Sequence, residues 1–553
     1  MLCGGAIMAR LYYLQVIFHQ KLSSRAASQI YEEVRFAPRR GDISDRHGRK
    51  LAVNVEVDSL FGVPPRVEDR AAAARELAQA TGVGRNHLLQ ELKKDRSFVW
   101  LSRRVSPAVA SRVKALDLEG IGFVKENRRY YPQRELAAQL IGLAGVDNQG
   151  LEGVELRYED HLKKDAVWLM VEKDARGRDI LLSPPSPEAL QEGAEVRLTI
   201  DEVIQYIVQK ELSRGVEESG AKGGCVVVLD PRTGEVLAMA NLPFFNPNEF
   251  QRYGPRYFRN RAVADLVEPG SILKPVLLAA ALETGAVSPK TLFFCENGEM
   301  PFMGRILHDV HPHGYLDTAG VIVNSSNIGA TKMALKLGPE KYHRYLQRFG
   351  FGQKTGIGLP GEAGGLLRSV DNWSGLSISA LAIGQEISVT PLQMAAAYAA
   401  LVNGGTLPRP FVVKSIFAAD GTVIRKTDPA RVRSVISPGT GRLVRRILRQ
   451  AVTEGTGGDA AVEGYSVGGK TGTAQKYDSA TRTYSNEHYL ASFAGYAPGE
   501  DPRLVVVVMI DEPRESIWGG SVAAPVFKRV VSRTLRYLNL PASGPGPTLV
   551  IES

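Results

Sequence analysis

A serine and a lysine three residues apart are the best candidates for covalent chemistry in this 553-residue sequence. Ser271 and Lys274 precede an apolar stretch, residues 275–282, whose Leu and Ala content favours a helix. The i, i+3 spacing places both side chains on one helix face. The apolar neighbours of Lys274 predict its burial, which disfavours the ammonium form and lowers the pKa. The pair therefore predicts a nucleophilic hydroxyl beside a neutral amine base. A helix-capping serine with an exposed lysine is the alternative.

Two further stretches supply groups that such a reaction needs. Ser325 and Asn327 offer a hydroxyl and an amide two residues apart. Residues 470–473, with the sequence Lys-Thr-Gly-Thr, offer an amine and two hydroxyls on a predicted edge strand. Such a strand can hold a carboxylate while an extended peptide pairs with its free edge. Because Gly472 has no side chain, another backbone can approach it closely.

A nucleotide-binding loop is the competing interpretation of the third stretch. Gly464, Gly469, Lys470 and Thr471 meet the spacing of a phosphate-binding loop. That loop follows a strand and opens a helix, whereas the apolar part here is short and residues 475–479 are polar and turn-rich. The context therefore favours the peptide-binding interpretation.

The order Ser-x-x-Lys, Ser-x-Asn, Lys-Thr-Gly is the motif set of penicillin-binding proteins and serine β-lactamases. Four surrounding stretches resemble class B penicillin-binding proteins: residues 259–263, 268–271, 324–327 and 384–393. Within that class, residues 230–240 and 245–248 resemble the cell-division (septal) or sporulation-type peptidoglycan D,D-transpeptidases. The resemblance covers nearly the whole chain.

The resemblance implies an α+β fold with an elongated N-terminal pedestal domain and a serine penicillin-recognising, β-lactamase-like transpeptidase domain. In the latter, helices cover both faces of an antiparallel sheet, and the Lys470 strand lies at its edge. The apolar stretch 504–510 agrees, since a strand that is apolar on both sides is covered twice. The expected domains are a truncated membrane anchor (1–20), the pedestal or dimerisation domain (21–197), the transpeptidase domain (198–540) and a loose tail (541–553).

The implied activity is cross-linking of peptidoglycan stem peptides through a serine acyl-enzyme that β-lactams trap. Ser271 would attack, Lys274 would take the proton, and Ser325 would relay it to the leaving amine. Asn327 would orient Lys274 and the peptide amide, and Lys470 would add positive charge. Thr471, Gly472 and Thr473 would bind the substrate, and the backbone N–H groups of Ser271 and Thr473 would form the oxyanion hole.

Other activities share the same motifs. A class A β-lactamase is far shorter, and a D,D-carboxypeptidase uses water in place of the second peptide. An elongation-type transpeptidase differs in where it works in the cell. A β-lactam sensor or division scaffold would become acylated without turnover.

The resemblance also implies a place and partners for the chain. We expect it in the bacterial cytoplasmic membrane, with one N-terminal anchor and the catalytic domain on the outer side. Its ligands would be stem peptides and β-lactams, and its partners a glycan polymerase and other division proteins. No cofactor or metal is implied, and no nucleic-acid motif is visible. The formal net charge of +9 fits proximity to anionic envelope polymers. It fits a solvated basic surface without a partner equally well.

Three smaller features complete the expectations. The odd, sparse set Cys3, Cys225 and Cys295 predicts free thiols, with a Cys225–Cys295 bridge as the lesser option. His308, Asp309, His311 and His313 resemble a metal-binding cluster, but nothing else supplies a typical site, so a structural loop is preferred. Polar residues 477–487 predict a mobile loop beside the cleft.

Overall fold

The computed structural model describes residues 2–23, 31–36, 38–96, 98–164, 167–173, 179–181, 192–478, 481 and 483–542. The helix α1 (Leu2–Tyr12) opens the chain and continues into a π-helical turn, Tyr13–Ile17. Within the described ranges, none of the helices has both the length and the apolar composition needed to cross a bilayer. The predicted loose tail lies outside the described residues from residue 543 onward.

The pedestal combines small sheets with short helices. Its strands are β1 (Tyr31–Phe36), β2 (Ile43–Ser44), β3 (Lys50–Gly62), β4 (Val99–Val105), β5 (Ile121–Tyr130), β6 (Val167–Lys173), β7 (Asp179–Leu181) and β8 (Glu195–Leu198). Its helices are α2 (Arg70–Thr81), α3 (Arg85–Leu92), α4 (Pro107–Lys114), α5 (Ala138–Ile141), α6 (Gly153–Arg157) and α7 (Glu159–Leu162). Side-chain oxygens of Asp69 and Ser106 cap α2 and α4, which explains where these helices begin.

The second unit contains the remaining elements. Its strands are β9 (Gly223–Leu229), β10 (Val236–Leu242), β11 (Leu292–Phe294), β12 (Glu299–Phe302), β13 (Arg305–His308), β14 (Tyr315–Asp317), β15 (Thr406–Pro408), β16 (Val413–Phe417), β17 (Val423–Lys426), β18 (Arg431–Ser434), β19 (Gly468–Asp478), β20 (Thr483–Ala497) and β21 (Leu504–Asp511). Its helices are α8 (Glu202–Glu218), α9 (Arg261–Ala264), α10 (Lys274–Glu283), α11 (Thr318–Val323), α12 (Asn327–Leu337), α13 (Pro339–Arg348), α14 (Ser377–Ala382), α15 (Pro391–Val402), α16 (Pro438–Thr453) and α17 (Gly519–Tyr537).

An antiparallel sheet of order β10–β9–β21–β20–β19 forms the centre of this unit. Alternate residues of β21 enter two separate cores: Val506 and Val508 pack with α8 and α17, whereas Val505 and Val507 pack with α10 and α15. The prediction that helices cover both faces is therefore confirmed. The Lys470 strand, β19, pairs with β20 alone, so its other side is the free edge that the sequence predicts.

The two units share a sheet. In the strand order β17–β16–β8–β2–β3–β4, the first two strands come from the second unit and the other four from the pedestal. Strand β5 pairs with the other side of β3. Main-chain pairing thus ties the pedestal to the unit that carries the three motifs.

Both cysteines with described side chains are free thiols. Cys225 and Cys295 are buried in the same core and form no bridge. Burial raises the pKa of the Cys225 thiol to about 12, so this group is an inert part of the core.

Candidate active site

Ser271 lies on a short 3-10 turn, Gly270–Leu273, that leads directly into α10. The regular helix begins at Lys274 itself, slightly later than the sequence suggests. Pro275 occupies its first turn, where the absent N–H has no helical partner to lose. Ser271 is half-buried, and the serine does not cap the helix with its side chain.

The turn is held from three sides. Gly270 has a φ of +60°, and a side chain there would press on the Cβ of Ala474 at 3.2 Å. The same glycine donates its N–H to the carbonyl of Gly384. From the core, the Tyr398 hydroxyl donates to the carbonyl of Ile272 at 2.9 Å. These contacts fix the backbone that carries Ser271, the predicted nucleophile.

Lys274 is fully buried, and no carboxylate of the described residues contacts its amine. Its Nζ donates to the Ser325 carbonyl at 2.6 Å and to Asn327 Oδ1 at 2.8 Å, and lies 3.3 Å from Ser325 Oγ. Burial lowers the pKa of Lys274 to about 7, and the more distant charge of Asp309 opposes that shift. The predicted neutral amine is thus supported by its surroundings.

The predicted contact between the amine and the Ser271 hydroxyl is not formed. Within the part of the chain that the structure describes, Ser271 Oγ makes no hydrogen bond, and the Lys274 contacts go to Ser325 and Asn327. Two carbonyl-type oxygens attract Nζ toward the second motif. Catalytic hydrogen bonds of this kind commonly tighten only when substrate binds.

The second motif joins α11 to α12 in a strained position. Ser325 has a φ of +59°, which a non-glycine residue adopts rarely, and the Ser326 side chain caps α12. Asp309 accepts the N–H groups of Asn327 at 2.5 Å and Ile328 at 3.0 Å, and the Ser326 hydroxyl at 2.6 Å. Asp309 therefore sets the position of Asn327, a role that the sequence reasoning missed.

This role also explains the histidine-rich stretch. Asp309 accepts hydrogen bonds from the start of α12. Asn327 Nδ2 donates to the His308 carbonyl at 3.0 Å. Among the described residues there is no group of three or more side chains that could hold a metal ion. The stretch positions the second motif by hydrogen bonds.

Lys470 is fully buried, and its hydrogen-bond partners among the described residues are neutral. Its Nζ lies 3.2 Å from the hydroxyls of Thr456 and Thr471. Burial, with a further contribution from the charge of Lys274, lowers the pKa of Lys470 well below its ordinary value. Thr456 was missed from the sequence, and its Gly-rich setting at residues 455–458 is the signal that could have revealed it.

The free-edge strand meets the serine turn at Gly472. A side chain on Gly472 would collide with Ser492 Oγ and lie 3.1 Å from both the Pro269 carbonyl and the Ile272 side chain. Hence only glycine lets β19 pass this close to the turn, and the first and third motifs converge here. The two backbone amides predicted for the oxyanion hole, those of Ser271 and Thr473, lie on these adjoining segments.

The threonine hydroxyls flank this junction. Thr471 Oγ1 lies 2.8 Å from Thr456 Oγ1. Thr473 Oγ1 accepts the N–H of Gly519, at the start of α17, at 3.0 Å. All eight predicted site residues therefore lie on three segments that meet around one cleft.

The prediction of a mobile loop at residues 477–487 is wrong for those of its residues that the structure describes. Residues 477 and 478 end β19, residues 483–487 begin β20, and Tyr477 pairs with Tyr484 in register. Their rings meet edge to face at 5.7 Å, and such cross-strand aromatic pairs extend a hairpin that polar composition alone would not suggest.

Glu268, three residues before the nucleophile, binds this hairpin. Its Oε1 accepts the Tyr484 hydroxyl at 3.0 Å and the N–H of Glu386 at 2.9 Å. In the sequence, Glu268 is recognisable only as part of a motif. Its tertiary contacts show that it also links separate segments of the chain. It connects the serine turn to the hairpin and to the loop after α14.

Comparison with known proteins gives the same organisation along the chain. The family described as the penicillin binding protein transpeptidase domain matches residues 224–532, and the penicillin-binding protein dimerisation domain matches residues 35–198. Stage V sporulation protein D of Bacillus subtilis is 36% identical over 542 residues, covering 97% of this chain and 84% of that protein. Peptidoglycan D,D-transpeptidase FtsI of Escherichia coli is 34% identical over 557 residues, covering 98% and 92%.

Solved structures show the same likeness. Penicillin binding protein 3 from Mycobacterium tuberculosis in complex with aztreonam aligns with a TM-score of 0.72 and 31% sequence identity. The alignment covers 93% of this chain and 99% of that one. A complex of the same protein with ampicillin aligns equally well, at 32% identity.

Proposed function

This chain belongs to the class B penicillin-binding proteins, and on that basis we propose that it is a serine-type peptidoglycan D,D-transpeptidase. The observation that carries the proposal is the buried, uncompensated Lys274 next to the serine turn and the Ser-x-Asn motif. The substrate is a stem peptide that ends in D-Ala-D-Ala, and β-lactams react with the same serine.

Acylation begins with the hydroxyl of Ser271. A neutral Lys274 amine has two N–H groups, which the Ser325 carbonyl and Asn327 Oδ1 accept, and one free lone pair. That lone pair takes the proton as Ser271 Oγ attacks the carbonyl between the two alanines. The backbone N–H groups of Ser271 and Thr473 bind the developing oxyanion.

The second motif carries the proton onward. Ser325 Oγ lies 3.3 Å from Lys274 Nζ, so it can pass a proton from the amine to the departing D-alanine nitrogen. Asn327 holds Lys274 on one side and is itself fixed by Asp309, which keeps the relay aligned. An amine from a second stem peptide then attacks the ester and completes the cross-link.

The third motif binds the end of the donor peptide. The hydroxyls of Thr471 and Thr473 receive its terminal carboxylate, and Gly472 lets the peptide backbone lie against β19. Burial lowers the pKa of Lys470 well below its ordinary value, and a bound carboxylate would raise that pKa by supplying a counter-charge. Lys470 therefore favours a ligand that ends in a carboxylate.

Two assays test the proposal. A fluorescent penicillin should label the wild-type protein and leave Ser271→Ala unlabelled, and stoichiometric labelling of the variant would refute the nucleophile. With a lipid-linked precursor and a glycan polymerase, the wild type should form peptide cross-links. Release of D-alanine without cross-links would identify a carboxypeptidase, and acylation without any turnover a sensor or scaffold.

The cellular role is also part of the proposal. We place the chain at the outer side of the cytoplasmic membrane, in septal or sporulation wall synthesis with a partner glycan polymerase. Exposed apolar side chains on the N-terminal helical segment, such as Ile7, Met8 and Ile17, support membrane attachment. Depletion with imaging tests the role: filaments indicate division, whereas rounded cells indicate elongation and contradict it.

A further inference from the structure

The residues just before the nucleophile lie beside a second segment, residues 384–389, with which they pair antiparallel. Val267 and Val389 exchange both of their backbone hydrogen bonds, at 3.0 and 2.9 Å. Gly270 donates its N–H to the carbonyl of Gly384 at 3.1 Å. The backbone that leads into the serine turn is therefore held along its length by the second segment.

Glu386, in the middle of that segment, has an unusual backbone conformation. Its φ is +56°, in a region that residues other than glycine rarely adopt. Arg368 and the Ser377 hydroxyl, the latter at 2.7 Å, both donate to its Oε2. In this conformation the Glu386 N–H donates to Glu268 Oε1 at 2.9 Å. Backbone strain of this kind persists where neighbouring contacts enforce it, and it is concentrated at functional sites.

Glu268 joins the hairpin of β19 and β20 to this paired backbone. Its Oε1 also accepts the Tyr484 hydroxyl at 3.0 Å, and the Tyr484 ring packs against Tyr477 on the other strand. Its Oε2 is buried and has no hydrogen-bond partner among the described residues. Burial raises the pKa of Glu268, although both hydrogen bonds act in the opposite direction. Proteins keep a carboxylate in such unfavourable surroundings mainly where it serves a function.

In the proposed reaction, the nucleophile and the donor peptide lie on different segments. Ser271 lies on the turn, whereas the peptide pairs with the free edge of β19. At Gly472 the two segments are already so close that an added Cβ would lie 3.1 Å from the Pro269 carbonyl. This contact prevents a closer approach, and the hydrogen bond between Glu268 and Tyr484 opposes separation. Attack requires reacting atoms about 3–3.5 Å apart, so the spacing of the segments matters for the rate.

We propose that Glu268 is a positioning residue for acylation: through Tyr484 it holds the β19–β20 hairpin at the distance from the serine turn at which Ser271 can attack. Glu386 supports this role by presenting its N–H from a strained conformation. The proposal rests on the proposed transpeptidase function and extends it to residues outside the three motifs. It requires no contact between Glu268 and the ligand.

The test compares the acylation of Glu268→Ala and Tyr484→Phe by benzylpenicillin and by penicillanic acid. Penicillanic acid has the same bicyclic nucleus and carboxylate but no acylamino side chain, so it has no group that could extend along β19. Stopped-flow measurements with benzylpenicillin separate the acylation rate constant from the dissociation constant. Competition with a fluorescent penicillin gives the second-order rate constant for penicillanic acid.

Glu268→Ala should slow acylation by both compounds by about 10²-fold, because a misplacement of about 1 Å has an effect of that size. Tyr484→Phe removes one of the two hydrogen bonds and should slow both by about tenfold. The dissociation constant of benzylpenicillin should stay within about twofold of wild type, since the lost interaction acts on the transition state. Glu268→Gln, whose amide oxygen can accept both donors, should stay within about fivefold of wild type.

Two further variants sharpen the test. Adding Tyr484→Phe to Glu268→Ala should cause no further loss, because both substitutions break the same hydrogen bond. Tyr537→Phe is the matched control: it removes a hydroxyl that lies 3.2 Å from the Asp201 carboxylate, at the opposite end of α17 from Gly519, and should leave both rates unchanged. If Glu268→Ala does not fold, Tyr484→Phe and Glu268→Gln decide the question.

A loss confined to benzylpenicillin, or one that appears only in its dissociation constant, would show that Glu268 acts by contacting the ligand and would overturn the proposal. Multiplicative losses in the double variant, or wild-type rates in Tyr484→Phe, would overturn it as well. A wild-type protein that neither compound acylates would refute the proposed transpeptidase function itself, and this proposal with it.

Discussion

Two regions of the described chain bury charged side chains in different surroundings. In the pedestal, Arg40, Arg129 and Glu155 form a cluster whose side chains are at most 1% exposed. In the cleft, Lys274 and Lys470 are equally buried, but the hydrogen-bond partners that the described residues offer them are neutral. The same burial therefore acts on paired charges in one region and on unpaired charges in the other.

In the pedestal, ion pairing has a larger effect on the pKa values than burial has. Arg40 Nε and Arg129 Nε donate to the two oxygens of Glu155 at 2.7 and 2.6 Å. Burial alone would raise the pKa of Glu155, but the two guanidinium groups outweigh it and lower the pKa. Glu155 and Glu159 likewise raise the pKa of Arg40 against the effect of burial. All three groups stay charged, so the cluster joins chain segments and does no proton transfer.

In the cleft, burial has the larger effect on the pKa values, because no carboxylate in the described part of the chain contacts either amine. The pKa of Lys274 falls to about 7, within range of a proton-transfer catalyst at neutral pH. The difference between the two regions indicates that the absence of a counter-charge, more than burial itself, lowers the pKa of a lysine enough for it to act as a base. Removing one charged group should therefore have different consequences in the two regions.

The largest effect is expected from Lys274→Met. Loss of the base should slow penicillin acylation by about 10²–10⁴-fold. Because the amine has no ionic partner, its loss should leave stability nearly unchanged, as thermal unfolding would show. Lys290→Met, at an exposed lysine, is the matched control and should alter neither property. Strong destabilisation by Lys274→Met would mean that the lysine behaves like the pedestal cluster.

Glu155→Gln should give the opposite result. It leaves Arg129 buried without an anion among the described residues, and Arg40 keeps Glu159 alone, which costs about 3–5 kcal/mol of unfolding free energy. Denaturant unfolding measures the loss, and the acylation rate of the folded fraction should stay within about twofold of wild type. The control Glu91→Gln, which removes the exposed pair with Lys94, should cost about 1 kcal/mol or less.

Asp309→Asn should have the smallest effect. The Asp309 charge raises the pKa of Lys274 from a distance, so its removal should move the pH dependence of acylation to lower pH. The amide oxygen can still accept the N–H groups of Asn327 and Ile328, which limits the loss of rate. A shift to higher pH would show that Asp309 does not act on Lys274 through its charge.

Much of the cleft is visible in the sequence because its parts are local. The apolar residues after Lys274 predict its burial. The all-apolar sequence of β21 predicts a sheet that is covered on both faces. The three motifs predict the candidate catalytic groups one by one. The family resemblance implies in addition that β19 lies at the sheet edge, where Gly472 passes the serine turn.

What the sequence leaves hidden depends on tertiary contact. Arg40 and Glu155 are 115 residues apart, and no periodicity links them. Asp309 lies among histidines that suggest a metal, yet its partners are backbone amides of α12. The Lys274 amine turns toward Ser325 and Asn327 because their oxygens outcompete the Ser271 hydroxyl in the free enzyme. These contacts are visible only in the three-dimensional structure.

The most direct test of the central claim is the pH dependence of penicillin acylation by the wild-type protein. The neutral amine is the active form, so the second-order rate constant should fall about tenfold per pH unit below the pKa of Lys274 and level off above it. The account predicts a midpoint near pH 7. A rate that is flat from pH 5 to 9, or that rises only near the ordinary lysine value of 10.5, would contradict it.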